Sequence, residues 1–150
     1  MTERKMKLEP NRGRGGTYVL VFHLRVPVEN KLGDFSGRYC YVGSAMGPGG
    51  LRARVARHLR QGKPLQWHID YLTSSEGFRP VSVYATPDVP ECRVAQGLSR
   101  LFTGHPRFGC SDCKCPTHLF LIDEVPRLEA LMRELGFDKL DLSGFSSGHG

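Results

Sequence analysis

The spacing of hydrophobic positions changes several times along the chain, and each change predicts an element. Thr17 to Val26 (Thr-Tyr-Val-Leu-Val-Phe-His-Leu-Arg-Val) is β-branched and aromatic and follows the break Gly15-Gly16, which predicts a central strand. Pro27 to Gly37 collects Pro, Asn, Gly, Asp and Ser and predicts a loop. Arg38 to Ser44 predicts a second strand, antiparallel to the first. From Leu51 the period becomes helical: Leu51, Val55 and Leu59 fall on one narrow stripe at about 100° per residue, up to a stop near Gly62. Pro64 opens a second helical piece, Leu65 to Leu72, with Trp67 and Tyr71 on one face and Leu65, Ile69 and Leu72 on another. Arg79 to Thr86 alternates around Val81, Val83 and Ala85 and predicts a third strand. Asp88 opens a helix reaching about Phe102, striped by Val94, Leu98, Leu101 and Phe102. A turn-rich loop, Gly104 to Thr117, leads to a short apolar strand, His118 to Ile122. Pro126 to Leu135 is amphipathic on Leu128, Leu131, Met132 and Leu135, with Gly136 placed as the residue just past the helix end.

The order β-β-α-α-β-α-β-α, beginning with a hairpin, predicts an α/β (α+β) fold: a small mixed, mainly antiparallel sheet flanked by helices. Residues 1–14 read as a flexible basic arm, 15–137 as the folded domain and 138–150 as a Ser/Gly-rich tail.

Composition narrows the class. A chain of 150 residues with 39% hydrophobic positions is one ordinary soluble domain. No apolar run approaches the ~20 residues of a membrane span. Met1-Thr-Glu-Arg-Lys lacks the apolar core of a signal peptide, so a cytoplasmic location is expected. Five cysteines, an odd number with three of them within Cys110-Ser-Asp-Cys113-Lys-Cys115, do not read as a disulfide framework. The net charge of +6 is unevenly spread. Residues 51–64 carry Arg52, Arg54, Arg57, Arg60 and Lys63 against no acid, whereas 123–141 hold six acids against Arg127, Arg133 and Lys139. A positive front and an acidic back suit a polyanion bound on one side, DNA or RNA alike. The basic helix is then either a solvated face or a phosphate-binding surface. The glycine-rich turn just ahead of it would let backbone N–H groups approach an anion.

Three sets of residues are candidates for chemistry. Tyr18 and Tyr41 lie on neighbouring predicted strands, either as half-buried packing or as paired phenols. Glu91 falls inside the apolar stripe of its helix, uncommon for an acid unless it is paired or binds a cation. Alternatively, Asp88-Val-Pro-Glu91 is a capping box. Cys110, Cys113, Cys115 and His118 are four soft ligands within nine residues. They could close a tetrahedral Zn2+ site, remain packed thiols, or leave Cys113 and His118 lining the same cleft as the arginines.

Taken in order, Gly16-Thr17-Tyr18, Tyr41-Val42-Gly43-Ser44-Ala45, Arg54 with Arg57-His58, and a helix-borne Glu91 resemble the GIY-YIG nuclease superfamily. Gly16-Thr-Tyr-Val-Leu20, Tyr41-Val-Gly-Ser-Ala-Met-Gly-Pro-Gly-Gly-Leu51, Trp67-His68-Ile69-Asp70-Tyr71, Glu91-Cys92 and Ser111-Asp112-Cys113-x-Cys115-Pro-x-His118-Leu119 are similar to one branch of it. That branch is catalogued as a domain of unknown function and sometimes occurs joined to endonuclease III-type DNA glycosylases. The resemblance implies a phosphodiester hydrolase, an endonuclease of DNA repair or processing, using one Mg2+ (or Mn2+) ion with Glu91 as its only protein ligand. It implies Tyr18 as general base, Tyr41 hydrogen-bonding beside it, and Arg54 holding the phosphoryl oxygens. Gly43, Ser44, Arg57 and His58 would help to position phosphate. Because tyrosine ordinarily titrates near 10, such a base requires a depressed Tyr18 pKa. This chain departs from the pattern in the wide spacing of its two tyrosines and in lacking a matching small polar residue, where His118 would stand instead. The expected partner is nucleic acid, DNA foremost, with a repair protein as a further partner. The competing readings are a non-cleaving nucleic-acid-binding module and a zinc-stabilised interaction domain.

Overall fold

The computed structural model describes residues 16–45, 50–109 and 117–142. The central strand, β1 (Gly16–Asn30), pairs with β2 (Gly33–Ala45) on one side and β3 (Phe78–Thr86) on the other. Its run Tyr18 to Phe22 is apolar at every position because both faces of the sheet are covered. Tyr18, Leu20, Phe22 and Leu24 point to one core, shared with Leu51 and Val55 of α1 (Gly50–Leu59) and Leu72 of α2 (Asp70–Thr73). Val19 and Val21 point to the other, shared with Val94 and Leu98 of α3 (Glu91–Ser99) and with Leu128 and Met132 of α4 (Val125–Leu135). Each such side chain removed from water is worth about 1.5–3 kcal/mol, which makes this strand the anchor of both layers.

Three short strands complete the sheet: β4 (Thr103–Gly104), β5 (Leu119–Leu121) and β6 (Asp138–Leu140). The spatial order is β4-β5-β2-β1-β3-β6, and every pairing is antiparallel. The fold is therefore α+β, a sheet flanked by helices, as the order of elements predicts. No parallel pairing occurs among the described strands. No described helix is long and apolar enough to cross a membrane.

Four segments differ from the pattern-based expectation. The loop predicted over Pro27–Gly37 is a hairpin extension turning at Lys31-Leu32, where Asn30 Oδ1 accepts the Leu32 N–H at 2.8 Å. The register shift between Leu24 and Val28 absorbs Pro27, which has no N–H to give a ladder. Val81 is exposed because β3 bulges opposite Val21-Phe22 and leaves it without a partner position. The piece predicted to be helical from Leu65 is helical only over Asp70–Thr73, for a reason given below. Residues 138–140, assigned to the tail, add β6 to the sheet edge. Gly136 closes α4 in the left-handed conformation, φ 84°, as expected.

Candidate active site

The hairpin register builds the site first. Tyr18 stands opposite Gly43, and Leu20 opposite Tyr41, so the two phenols share one sheet face with centroids 6.4 Å apart. The long chain between them is zipped into the hairpin, and none of residues 25–37 lines the cleft they border. Glycine at position 43 is required by that register, since a Cβ there would overlap the Tyr18 hydroxyl.

Helix α1 supplies the next two groups from one flank. Arg54 donates from Nη1 to the Ser44 carbonyl at 2.9 Å, and its guanidinium lies 4.6 Å from the centre of the Trp67 ring. His58, one turn later and fully buried, meets the Tyr18 hydroxyl through Nε2 at 2.5 Å. Its Nδ1 is buried without a hydrogen-bond partner among the described residues. Burial, reinforced by Lys63, Arg54 and Arg57 against the opposing pull of Asp70, pushes the His58 pKa down to about 3, so the ring is neutral. Lys63 folds back past Gly62 (φ 78°) and donates to the carbonyls of His58 and Arg60, capping the end of α1.

The carboxylate arrives from the opposite layer. Thr17 Oγ1 on β1 donates to the Val89 carbonyl at 2.5 Å and pins the turn before α3, whose first residue is Glu91. The helix begins after Pro90 with no side-chain cap, so the Asp88–Glu91 capping box does not form. Glu91 instead faces the cleft, its Oε2 at 3.4 Å from His118 Nδ1. Burial lowers the His118 pKa, and Glu91 pulls against it.

These side chains border a cleft of about 430 Å³. Tyr18, Tyr41, Gly43, Ser44, Arg54, Glu91 and His118 line it. Gln66, Trp67, His68 and Gly109 also line it; the pattern had placed Trp67 on a helix face and His68 in a motif, but had assigned none of the four to a site. The four groups expected to act together, Tyr18, Tyr41, Arg54 and Glu91, do converge.

Two assignments change. Arg57 turns away from the cleft: it grips the buried Asp70 carboxylate with Nη1 at 2.7 Å and Nη2 at 3.1 Å, and also donates to the Pro64 carbonyl. His58 lies behind Tyr18, out of reach of a phosphate in the cleft. The expectation of a depressed Tyr18 pKa also fails. Burial, then the neighbouring Tyr41, raises it well above the ordinary value despite the opposing Arg54 charge. Cys110, Cys113 and Cys115 lie outside the described residues, while His118, the fourth member of that cluster, stands in the cleft wall beside Glu91. Among the described residues no group of three or more His, Cys, Asp or Glu side chains could enclose a metal ion. One carboxylate at the edge of an open cleft fits a hard cation that keeps most of its water, as Mg2+ and Mn2+ do, and does not fit a fully caged one.

Fold and cleft together define a class: a small α+β domain that brings two phenols, a guanidinium and a carboxylate to one opening. The sequence profile of the domain of unknown function DUF123 matches residues 17–139, and the chain belongs to that family. No curated protein and no solved structure matches it.

Proposed function

We propose that the protein is a GIY-YIG-type endonuclease that hydrolyses DNA phosphodiester bonds in repair or processing. The observation that carries this reading is the meeting of Tyr18, Tyr41, Arg54 and Glu91 at one cleft from two strands and two helices. Arg54 spends one N–H on the Ser44 carbonyl and keeps others for phosphoryl oxygens, which a planar fork holds better than an ammonium. As charge grows at phosphorus, that fixed donor stabilises it without having to reorganise.

The attacking water needs a base, and a neutral tyrosine is not one by itself. The bond to His58 supplies a route: the Tyr18 oxygen receives a proton from water while its own proton passes to His58 Nε2. His58 is neutral and so has a free lone pair, but the burial that holds its pKa near 3 also makes it a weak acceptor. Tyr41 stands beside this path. Glu91 would hold the divalent ion, which when bound supplies counter-charge for the leaving oxygen. Ser44 and Gly43 shape the floor on which the phosphate rests.

The second reading is a nucleic-acid-binding module that does not cut, and the near-complete burial of Tyr18, 1% exposed, favours it. Labelled branched, flapped and linear DNA incubated with Mg2+ or with EDTA separates the two. Nicks that require the metal support the nuclease. Salt-sensitive binding without nicks in either buffer leaves the module.

A further inference from the structure

The wall formed by Gln66, Trp67 and His68 is built in an unusual way. The stretch Leu65–Leu72 carries an amphipathic helical pattern, yet its first half is not helical. The cause is Asp70. Its side chain, fully buried, accepts from the backbone N–H groups of Gln66 and Trp67, both at 2.8 Å, besides the two arms of Arg57. A buried carboxylate satisfied four times over replaces the first helical turn and fixes the backbone of residues 66 and 67. Burial alone would raise the Asp70 pKa, but Arg57 and the Trp67 and Gln66 N–H groups outweigh it and hold the carboxyl below the usual range.

This clamp presents two polar side chains to the cleft. Gln66 and His68 are exposed, and both line the opening into which Arg54 and Glu91 face. His68 Nδ1 accepts the Gly109 N–H at 3.1 Å, which fixes the neutral ring with its proton on Nε2. Gln66 makes no hydrogen bond through its side-chain amide to any described residue. The wall thus offers an N–H donor on a ring of fixed tautomer and an amide that both donates and accepts. A nucleobase edge or a sugar hydroxyl offers both donors and acceptors and can use all of these groups, whereas a phosphate only accepts and would leave the Gln66 amide oxygen unused.

We propose that Gln66 and His68 form a nucleotide subsite, contacting the base or sugar next to the phosphate held by Arg54, on a wall whose shape Asp70 sets. The subsite rests on the reading of this cleft as one for nucleic acid but not on cleavage. Trp67, the sole tryptophan, borders the cleft and packs against Arg54, so its fluorescence reports occupancy.

The test titrates the full chain, in EDTA, with a short single-stranded DNA and separately with inorganic phosphate. The wild type is expected to bind the oligonucleotide more tightly than phosphate. Gln66→Ala and His68→Ala should each weaken oligonucleotide binding roughly five- to tenfold, as for one lost hydrogen bond, and leave phosphate binding unchanged. Both positions are exposed, and a melting curve confirms that the fold is intact. If both variants bind the oligonucleotide like the wild type, the subsite is refuted, whether or not the protein nicks DNA. If the variants lose affinity while the wild type cuts nothing, the subsite stands and the nuclease reading falls. If the wild type binds neither probe, both are refuted.

Discussion

Acid should destabilise this protein through one buried ring. His58 titrates at about 3 in the folded chain and near 6.5 when unfolding frees it. Between those values the unfolded state binds a proton that the folded state refuses, so stability rises with pH and falls as acid is added. The loss begins as pH drops below about 6.5 and stops accumulating near pH 3. Each unit inside that window is worth about 1.4 kcal/mol, so going from about pH 6.5 to 4.5 should cost roughly 2–3 kcal/mol through His58. Out of a total of about 5–15 kcal/mol for an ordinary domain, that is a large share. His118, also lowered by burial, pulls the same way, which makes a difference measurement necessary. Asp70 stays charged throughout this range because its carboxyl titrates below the usual carboxylate value. Urea unfolding followed by Trp67 fluorescence at several pH values gives the curves for wild type and His58→Gln. The glutamine keeps a polar group for the Tyr18 hydroxyl but does not titrate. The wild type should lose about 2–3 kcal/mol more than the variant across the window. Parallel curves would refute the placement of a neutral, buried His58 behind Tyr18.

Other substitutions probe the remaining supports. Asp70→Ala leaves Arg57 and two backbone N–H groups without their acceptor and should cost about 3–5 kcal/mol in urea unfolding; a loss within 0.5 kcal/mol, the ordinary surface-substitution range, contradicts the clamp. Gly43→Ala forces the Tyr18 hydroxyl aside; it should destabilise by about 1–3 kcal/mol and abolish any nicking, and a variant as active as wild type would contradict the register-defined contact. Trp67→Ala uncovers His58, whose ring lies 6.4 Å from the indole, so its pKa should climb toward 6.5 in a titration followed by imidazole NMR signals. An unchanged His58 titration would place its shielding elsewhere.

Much of the fold was legible because its signals are local. The β-branched run of β1, the Leu51-Val55-Leu59 stripe and the Leu128-Leu131-Met132-Leu135 stripe all became the elements they predicted, and Gly136 ended α4 where left-handed backbone was needed. The misses were long-range. Pro27, Asn30 and Gly33 read as a loop, yet Phe35, Phe108 and His105 pack together and hold the hairpin together beyond the bulge. Leu65–Leu72 read as a helix because periodicity does not register a carboxylate turning back on its own backbone; an aspartate among apolar positions was the one visible sign. In the site, Tyr18, Tyr41, Arg54 and Glu91 came through motif order. The link from Tyr18 to His58 did not, since Arg54 and His58 share a flank and only the sheet decides which meets phosphate and which meets the phenol. His68 stood in a motif quoted for the resemblance but had no role assigned to it, and Gln66 carried no signal at all.

The central claim concerns four side chains acting on one phosphodiester. Single-turnover cleavage of one flapped DNA in Mg2+, with Tyr18→Phe, Arg54→Ala and Glu91→Gln beside the wild type, tests it most directly. Arg54→Ala and Glu91→Gln should melt like the wild type within a few degrees, and Tyr18→Phe lower because it leaves buried His58 Nε2 without its partner. Each should bind the DNA and cut it at least about a hundredfold more slowly, the size expected for losing a transition-state donor or base. Full-rate cutting by Glu91→Gln or Arg54→Ala, or no metal-dependent cutting by the wild type, would contradict the account.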